Sequence, residues 1–172
     1  MKIRFLKRKL QTEFAKIPLI AVLLFAGFSI FLGLMIAISA GARHPTLYYY
    51  LPKGILPIFL MAFFWCLAYG LWGALIGVFL FSCQNFGKSN RIYLFFLFLC
   101  VWILSYTWFP VVYRAGSLFL ALLLCFLIFF CLFFLFGFFV RHSFLMILGF
   151  CLFAFWMIYV FYYTFSLFLL QG

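Results

Sequence analysis

The stretch that decides the fold is residues 55–82, ILPIFLMAFFWCLAYGLWGALIGVFLFS, which contains no charged side chain. An α-helix rises about 1.5 Å per residue, and about 20 mostly apolar residues cross the hydrocarbon core of a bilayer. The stretch exceeds that length and has Gly and aromatic residues instead of polar ones. It therefore predicts a transmembrane helix rather than a helix of a soluble core.

Four more apolar stretches flank it along the chain. They cover residues 18–40, 92–109, 117–140 and 144–169. The short gaps between the stretches contain Pro, Gly, Asn and basic residues, which end helices. We predict an all-α fold, a single transmembrane domain over residues 1–172 with five transmembrane helices and a basic N-terminal tail at 1–16.

The overall composition excludes a soluble globule. Hydrophobic residues make up 72% of the chain and charged residues 8%, with a mean hydropathy of +1.36. A soluble domain is about half apolar and about a quarter charged. The surface of this protein must therefore face lipid, and membrane lipid is its first expected partner.

The basic residues predict the orientation. The chain has twelve Lys and Arg residues and a single acid, Glu13. With the N-terminus inside, nine basic residues lie inside and three outside, which satisfies the positive-inside rule. The inner set is Lys2, Arg4, Lys7, Arg8, Lys9, Lys16, Lys88, Arg91 and Arg141, and the outer set is Arg43, Lys53 and Arg114. A bacterial inner membrane with a cytoplasmic N-terminus is expected, with an organelle membrane as the alternative, and nucleic-acid binding is not expected.

The first apolar stretch has a second interpretation as a cleavable signal peptide. The basic leader precedes it, and Ala40-Gly41-Ala42 is similar to a cleavage site. Its apolar length exceeds the roughly 7–15 residues of a signal core. A retained helix is the favoured interpretation.

Chemically active side chains are scarce in the predicted helices. No Asp, Glu, Lys, Arg or His falls inside them, and the six cysteines form no CxxC pair. Proton-coupled transporters need intramembrane ionisable groups, and hydrolases need a nucleophile beside a base. We expect no metal site, no covalently bound cofactor and no enzyme activity.

The second stretch carries two ordered faces. Trp65, Tyr69 and Trp72 recur at i, i+4 and i+7, so they share one helix face. A neighbouring face carries Gly70, Gly73 and Gly77, a pattern that allows close helix contact. The aromatic face is compatible with a cavity for a flat apolar ligand, but spacing alone favours ordinary packing and an interfacial aromatic belt.

The region around this stretch resembles the TspO/MBR family, the translocator proteins also called tryptophan-rich sensory proteins. The family's first loop has Y-x-x-L-x-K, and its second helix W-T-x-L-Y-x-x-M-G. The matching residues are Tyr48, Leu51, Lys53, Pro57, Phe59, Trp65, Tyr69 and Gly73, with Phe150 and Phe153 where the fifth helix has Y-x-x-W. Cys66 replaces the family's Thr, Val101 stands where the third helix has Asn, and the fourth-helix Trp is missing.

The resemblance implies a translocator or sensor that binds a porphyrin or another flat hydrophobic molecule. The implied pocket opens beneath the loop at 41–54 and is lined by Tyr48, Pro57, Phe59, Trp65, Tyr69, Ser105, Phe150 and Phe153. Lys53 and Arg43 would lie at its mouth, where they could pair with porphyrin propionates. Family members are often homodimers, which makes the glycine face one candidate contact between copies.

Two other functions compete with ligand binding. One is a structural or assembly subunit of a membrane complex with no small-molecule ligand, in which the aromatic faces only pack against partner helices. The other is degradation of a bound porphyrin, with Trp65 as an oxidisable aromatic residue. The sequence leaves open whether a ligand would be transported, sensed or stored.

Overall fold

A computed structural model describes residues 18–40, 57–82, 87–140 and 142–171 of the chain. Within them it has five α-helices and no strand, which confirms the predicted all-α bundle. We number these helices in chain order: α1 is Leu19–Ser39, α2 Ile58–Ser82, α3 Lys88–Phe109, α4 Leu118–Phe139 and α5 Phe144–Gln171. All five are long and apolar enough to cross a membrane.

The largest departure from the expected bounds is at the start of α3. The apolar pattern begins at Ile92, whereas the helix begins at Lys88, four residues earlier. Polar side chains are tolerated in a first turn because it extends beyond the apolar core of the membrane. The helix α2 begins at Ile58, directly after Pro57, instead of at Ile55.

Helix α2 is the centre of the bundle. About 61% of its spanning window is buried inside the protein, against 11% for α1 and 39% for each of the other three. Its glycine face packs against α1, and its aromatic face points toward α3 and α5. The two faces predicted from the spacing thus pack against different helices of the bundle.

Helix α1 lies at the edge of the bundle and is held by close packing and by one polar network. A Cβ at Gly73 would run into the backbone of Phe25. The hydroxyls of Ser29 and Tyr106 lie 2.8 Å apart, and the indole N–H of Trp102 donates to both, at 3.0 and 2.9 Å. Hydrogen bonds between helices are a source of specific contact in lipid, where apolar surface gives no driving force.

A π-helical turn, Pro110–Arg114, follows α3 without a break. Pro110 has no N–H to donate, so regular helical bonding is interrupted there. The turn is closed by Ala115 N–H donating to the Pro110 carbonyl at 2.9 Å, and Gly116 then takes a positive φ of 65°. As a result the chain keeps Tyr113 beside Phe109, with ring centroids 5.9 Å apart.

Candidate functional site

An apolar cavity of about 160 Å³ lies between α1, α2 and the end of α3. Its walls are Gly33, Leu34 and Ala37 of α1, Met61, Ala62, Trp65, Cys66 and Tyr69 of α2, and Phe109 and Tyr113. The end of α1, the start of α2 and the end of α3 lie on the same side of the bundle because successive helices alternate in direction. The cavity therefore lies in the half of the membrane reached by residues 41–56, which join α1 to α2.

Trp65 is the centre of an aromatic cluster that forms one wall of this cavity. Its ring centroid lies 4.8 Å from that of Phe109, 5.2 Å from Trp108, 5.3 Å from Trp156 and 5.5 Å from Tyr69. These separations fall in the range preferred by aromatic pairs. Because the partners come from α2, α3 and α5, the position of Trp65 is fixed by three helices, and its ring is a rigid surface for a ligand.

Tyr69 forms the floor of the cavity and is also held from two directions. Its hydroxyl donates to the carbonyl of Ser105 at 3.2 Å, and its ring lies 4.5 Å from that of Tyr106. On its other side the ring lies against Gly33, where a Cβ would clash with it. Only a residue without a side chain fits at position 33, so the shape of the floor depends on a glycine of α1.

Two polar groups of the cluster have no hydrogen-bond partner among the described residues. The indole N–H groups of Trp65 and Trp156 are buried, and no acceptor lies within reach among the residues that the structure describes. By contrast, Trp108 donates to the hydroxyl of Thr164 at 3.1 Å. Unpaired buried donors are uncommon in native proteins and call for an explanation. Two of them in one cluster indicate that it is not optimised for packing alone.

The predicted site residues divide between two places. Trp65 and Tyr69 line the cavity, and Ser105 lies behind Tyr69 as its hydrogen-bond partner. Phe150 and Phe153 do not line it. They pack around Trp72, with centroid distances of 6.0 and 4.5 Å, in a separate aromatic cluster nearer the other side of the membrane.

The remaining predicted residues lie at the entrance or beyond the described ranges. Pro57 is exposed immediately before α2, and Phe59 is the second residue of that helix. Tyr48 and Lys53, together with Arg43, lie outside the described residues. The structure therefore does not bear on a basic group at the mouth of the pocket.

The glycine face meets α1 of the same chain. A Cβ at Gly70 would lie 3.0 Å from Ile30, one at Gly77 would lie 3.1 Å from the Cα of Val22, and Gly73 lies against Phe25. These contacts occupy the face that sequence reasoning offered for a homodimer. A second copy could use it only after α1 had moved away.

Sequence reasoning missed the contribution of α1 and of the π-helical turn. Gly33 and Ala37 are small residues four apart, which was a signal for close contact that the first stretch already carried. Tyr113 follows Pro110, and a proline predicts the end of a helix, so the sequence does not place the Tyr113 ring beside Phe109. The first omission concerns a contact between helices, which spacing within one helix does not specify. The second concerns a helical turn that continues past a proline.

The chemistry of the cavity is that of an apolar binding site. Its lining is aromatic and aliphatic, and the lining side chains that contain a heteroatom other than methionine sulfur are those of Trp65, Tyr69, Cys66 and Tyr113. Within the described residues no group of three or more His, Cys, Asp or Glu side chains could hold a metal ion. The volume is close to the roughly 150 Å³ of an engineered apolar cavity that binds benzene.

Comparison with known proteins adds no relative. No model of a protein family matches the chain, and no curated protein matches it. Membership of the TspO/MBR family therefore stays a prediction from the residues quoted above.

Proposed function

We propose that this integral membrane protein is a translocator or sensor of the TspO/MBR type, which binds a flat hydrophobic ligand such as a porphyrin against Trp65. The observation that carries the proposal is the aromatic cavity itself. Trp65 and Tyr69, the two residues that the resemblance makes central, are side by side in its wall. A flat aromatic ligand binds to such a wall by stacking on its rings and by removing apolar surface from water or lipid.

The size of the cavity limits how a tetrapyrrole would bind. About 160 Å³ holds one ring, or the edge of a larger planar molecule, and not a whole macrocycle. The rest of a porphyrin would lie toward residues 41–56 or between α1 and α2. Helix α1 is the least buried helix of the bundle, and its close packing on the glycine face of α2 would have to open to admit the rest of the ligand.

The two unpaired indole N–H groups support a ligand with hydrogen-bond acceptors. Trp65 and Trp156 lie at right angles to each other, with centroids 5.3 Å apart. A carboxylate or a ring nitrogen of such a ligand could supply the acceptor that these N–H groups lack among the described residues. A buried donor is stabilised most by such an acceptor, because without one it carries the full free-energy cost of losing its hydrogen bonds to water.

The test compares two tetrapyrroles that differ in planarity. We expect saturable quenching of Trp fluorescence when the detergent-purified protein is titrated with protoporphyrin. Under anaerobic conditions we expect at least tenfold weaker binding of the reduced, puckered porphyrinogen, which has no continuous π-surface. Equal binding of both would mean that stacking does not determine affinity.

Failure of both ligands to bind saturably would favour the structural or assembly subunit. In that case another membrane protein should co-purify in mild detergent, with the aromatic clusters serving only as packing. Loss of the porphyrin absorption spectrum during illuminated incubation would instead favour degradation of the ligand. In that case Trp65→Phe should slow the loss.

A further inference from the structure

A second cavity, of about 310 Å³, lies where α2 ends and α3 begins, on the opposite side of the bundle from the first. It is lined by Phe79, Leu80, Arg91, Ile92 and Phe95. Four of these residues are apolar and the fifth is cationic. The cavity thus combines a hydrophobic wall with one fixed positive charge.

Arg91 is held in place by the protein and still has donors to offer. Its side chain is half-buried, and its Nη2 donates to the carbonyl of Leu80 at 3.1 Å. A guanidinium carries five N–H donors in a rigid fork that matches phosphate oxygens. The described residues contain no Asp or Glu, because the one acid of the chain is Glu13. The counter-ion of Arg91 therefore has to come from outside this part of the chain.

The start of α3 adds to the positive potential. The first intrahelical bond is Arg91 N–H to the Gly87 carbonyl, at 3.0 Å, so the N–H groups of the three preceding residues have no carbonyl inside the helix. Gly87 at the N-cap has no side chain that could cap this end, and no acidic residue lies in the first turn. A helix N-terminus favours anions, and here it lies beside a fixed guanidinium.

The depth of the cavity matches a lipid that spans headgroup and chain. Leu80 is two residues from the end of α2, and Arg91 is three residues after the start of α3, so both lie within about 5 Å of the helix ends. That places the guanidinium at headgroup level. Phe95 lies one turn deeper, where the first acyl carbons would run.

We propose that this cavity binds one anionic phospholipid, whose phosphate pairs with Arg91 and whose acyl chain packs against Leu80, Ile92 and Phe95. With the predicted orientation, the site faces the cytoplasmic leaflet, where anionic lipids attract basic residues. The proposal does not depend on the function of the first cavity. It gives Arg91 a specific role in lipid binding, whereas the positive-inside rule uses this residue only as one positive charge.

The experiment uses the full chain in nanodiscs made from an equal mixture of dioleoylphosphatidylglycerol and dioleoylphosphatidylcholine. Native mass spectrometry of the released protein gives the ratio of the two lipids retained. We expect a preference for phosphatidylglycerol that falls about fivefold in Arg91→Gln, the effect of one basic residue at an anionic surface. Arg114→Gln is the matched control, because it removes the same charge from an exposed position beyond the other end of α3.

Several results would overturn the proposal. An unchanged preference for phosphatidylglycerol in Arg91→Gln excludes the site. An equal loss of this preference in Arg114→Gln would show that it depends on general surface charge and not on the cavity. Displacement of the lipid by inorganic phosphate would show an ion site with no role for the acyl chain. If Arg91→Gln fails to fold, Arg91→Lys takes its place. We expect this variant to lower the preference for phosphatidylglycerol about twofold, because the charge stays and the guanidinium fork is lost. An unchanged preference counts against the proposal.

Discussion

The ring of Tyr69 lies in the space beside Gly33 that any larger residue at position 33 would need for its Cβ. The ring cannot retreat freely, because its hydroxyl is bonded to the Ser105 carbonyl at 3.2 Å. Tyr106 closes the other side, 3.1 Å from the same Cβ position. The edge helix α1 and the floor of the cavity are therefore coupled through one contact.

Gly33→Ala should destabilise the protein by about 1–3 kcal/mol, the usual cost of adding a group to a tightly packed contact. Either α1 moves outward or Tyr69 tilts into the cavity, so porphyrin affinity should fall as well. Both are measured in detergent, by denaturant titration and by fluorescence quenching. Gly27→Ala is the matched control on the same helix, because a Cβ there meets nothing within 4 Å. Equal stability of the two variants would refute the contact.

The glycine face of α2 can be tested by crosslinking. A Cβ at Gly77 would lie 3.4 Å from Cγ2 of Val22, so cysteines at the two positions fall within reach of a disulfide. We expect the double variant Val22→Cys/Gly77→Cys, when oxidised, to run as a crosslinked monomer on a gel. The single variants report any crosslinks through the native cysteines. A band found only at dimer size would place this face between two copies instead.

The polar network that joins α1 to α3 should make a measurable contribution to stability. Tyr106→Phe removes the hydroxyl that donates to the Ser29 carbonyl, lies 2.8 Å from the Ser29 hydroxyl and accepts from Trp102. The Trp102 N–H stays bonded to the Ser29 hydroxyl. We expect a loss of about 0.5–1.5 kcal/mol in the free energy of unfolding, the net value of one hydrogen bond. Tyr162→Phe, at an exposed position, should change it by less than about 0.5 kcal/mol. A Tyr106→Phe variant as stable as this control would show that the network contributes nothing.

Phe153 distinguishes the pocket implied by the family resemblance from the cavity in the structure. It packs on Trp72, at a centroid distance of 4.5 Å, and does not line the cavity. Phe153→Leu should therefore lower the midpoint of thermal unfolding while leaving porphyrin affinity within about twofold of the parent. A large loss of affinity in a variant that is folded at the assay temperature would support the pocket implied by the resemblance.

The fold could be predicted from the sequence because each helix is marked by its own residues. The uncharged run in residues 55–82 fixes α2, and its two spacings show which face is aromatic and which is small. The other four helices are marked by apolar stretches long enough to cross a membrane and by short gaps that contain basic residues. The start of α3 was placed late, because Lys88 to Arg91 are polar and hydropathy alone does not recognise a solvated first turn.

The candidate site could be predicted only on its α2 side. Trp65 and Tyr69 stand out by spacing and by the family resemblance, and both line the cavity. Gly33 was missed because the partners of a helix depend on how helices are arranged. Tyr113 was missed because a proline predicts the end of a helix and not its continuation. The sequence predicts Phe153 in the pocket, whereas it packs on Trp72. Its position in the fifth helix does not reveal which of the two aromatic clusters its ring joins.

The central claim is that Trp65 forms a ligand-binding surface, and one comparison tests it most directly. Protoporphyrin is titrated into the parent protein, Trp65→Phe and Trp72→Phe, with the dissociation constant taken from quenching of the remaining tryptophans. Trp72 is the matched control because it is equally buried but belongs to the second cluster. We predict an affinity lowered about threefold to tenfold in Trp65→Phe, as expected for a stacked aromatic residue, and unchanged in Trp72→Phe. Saturable binding with the same dissociation constant in all three proteins would contradict the account.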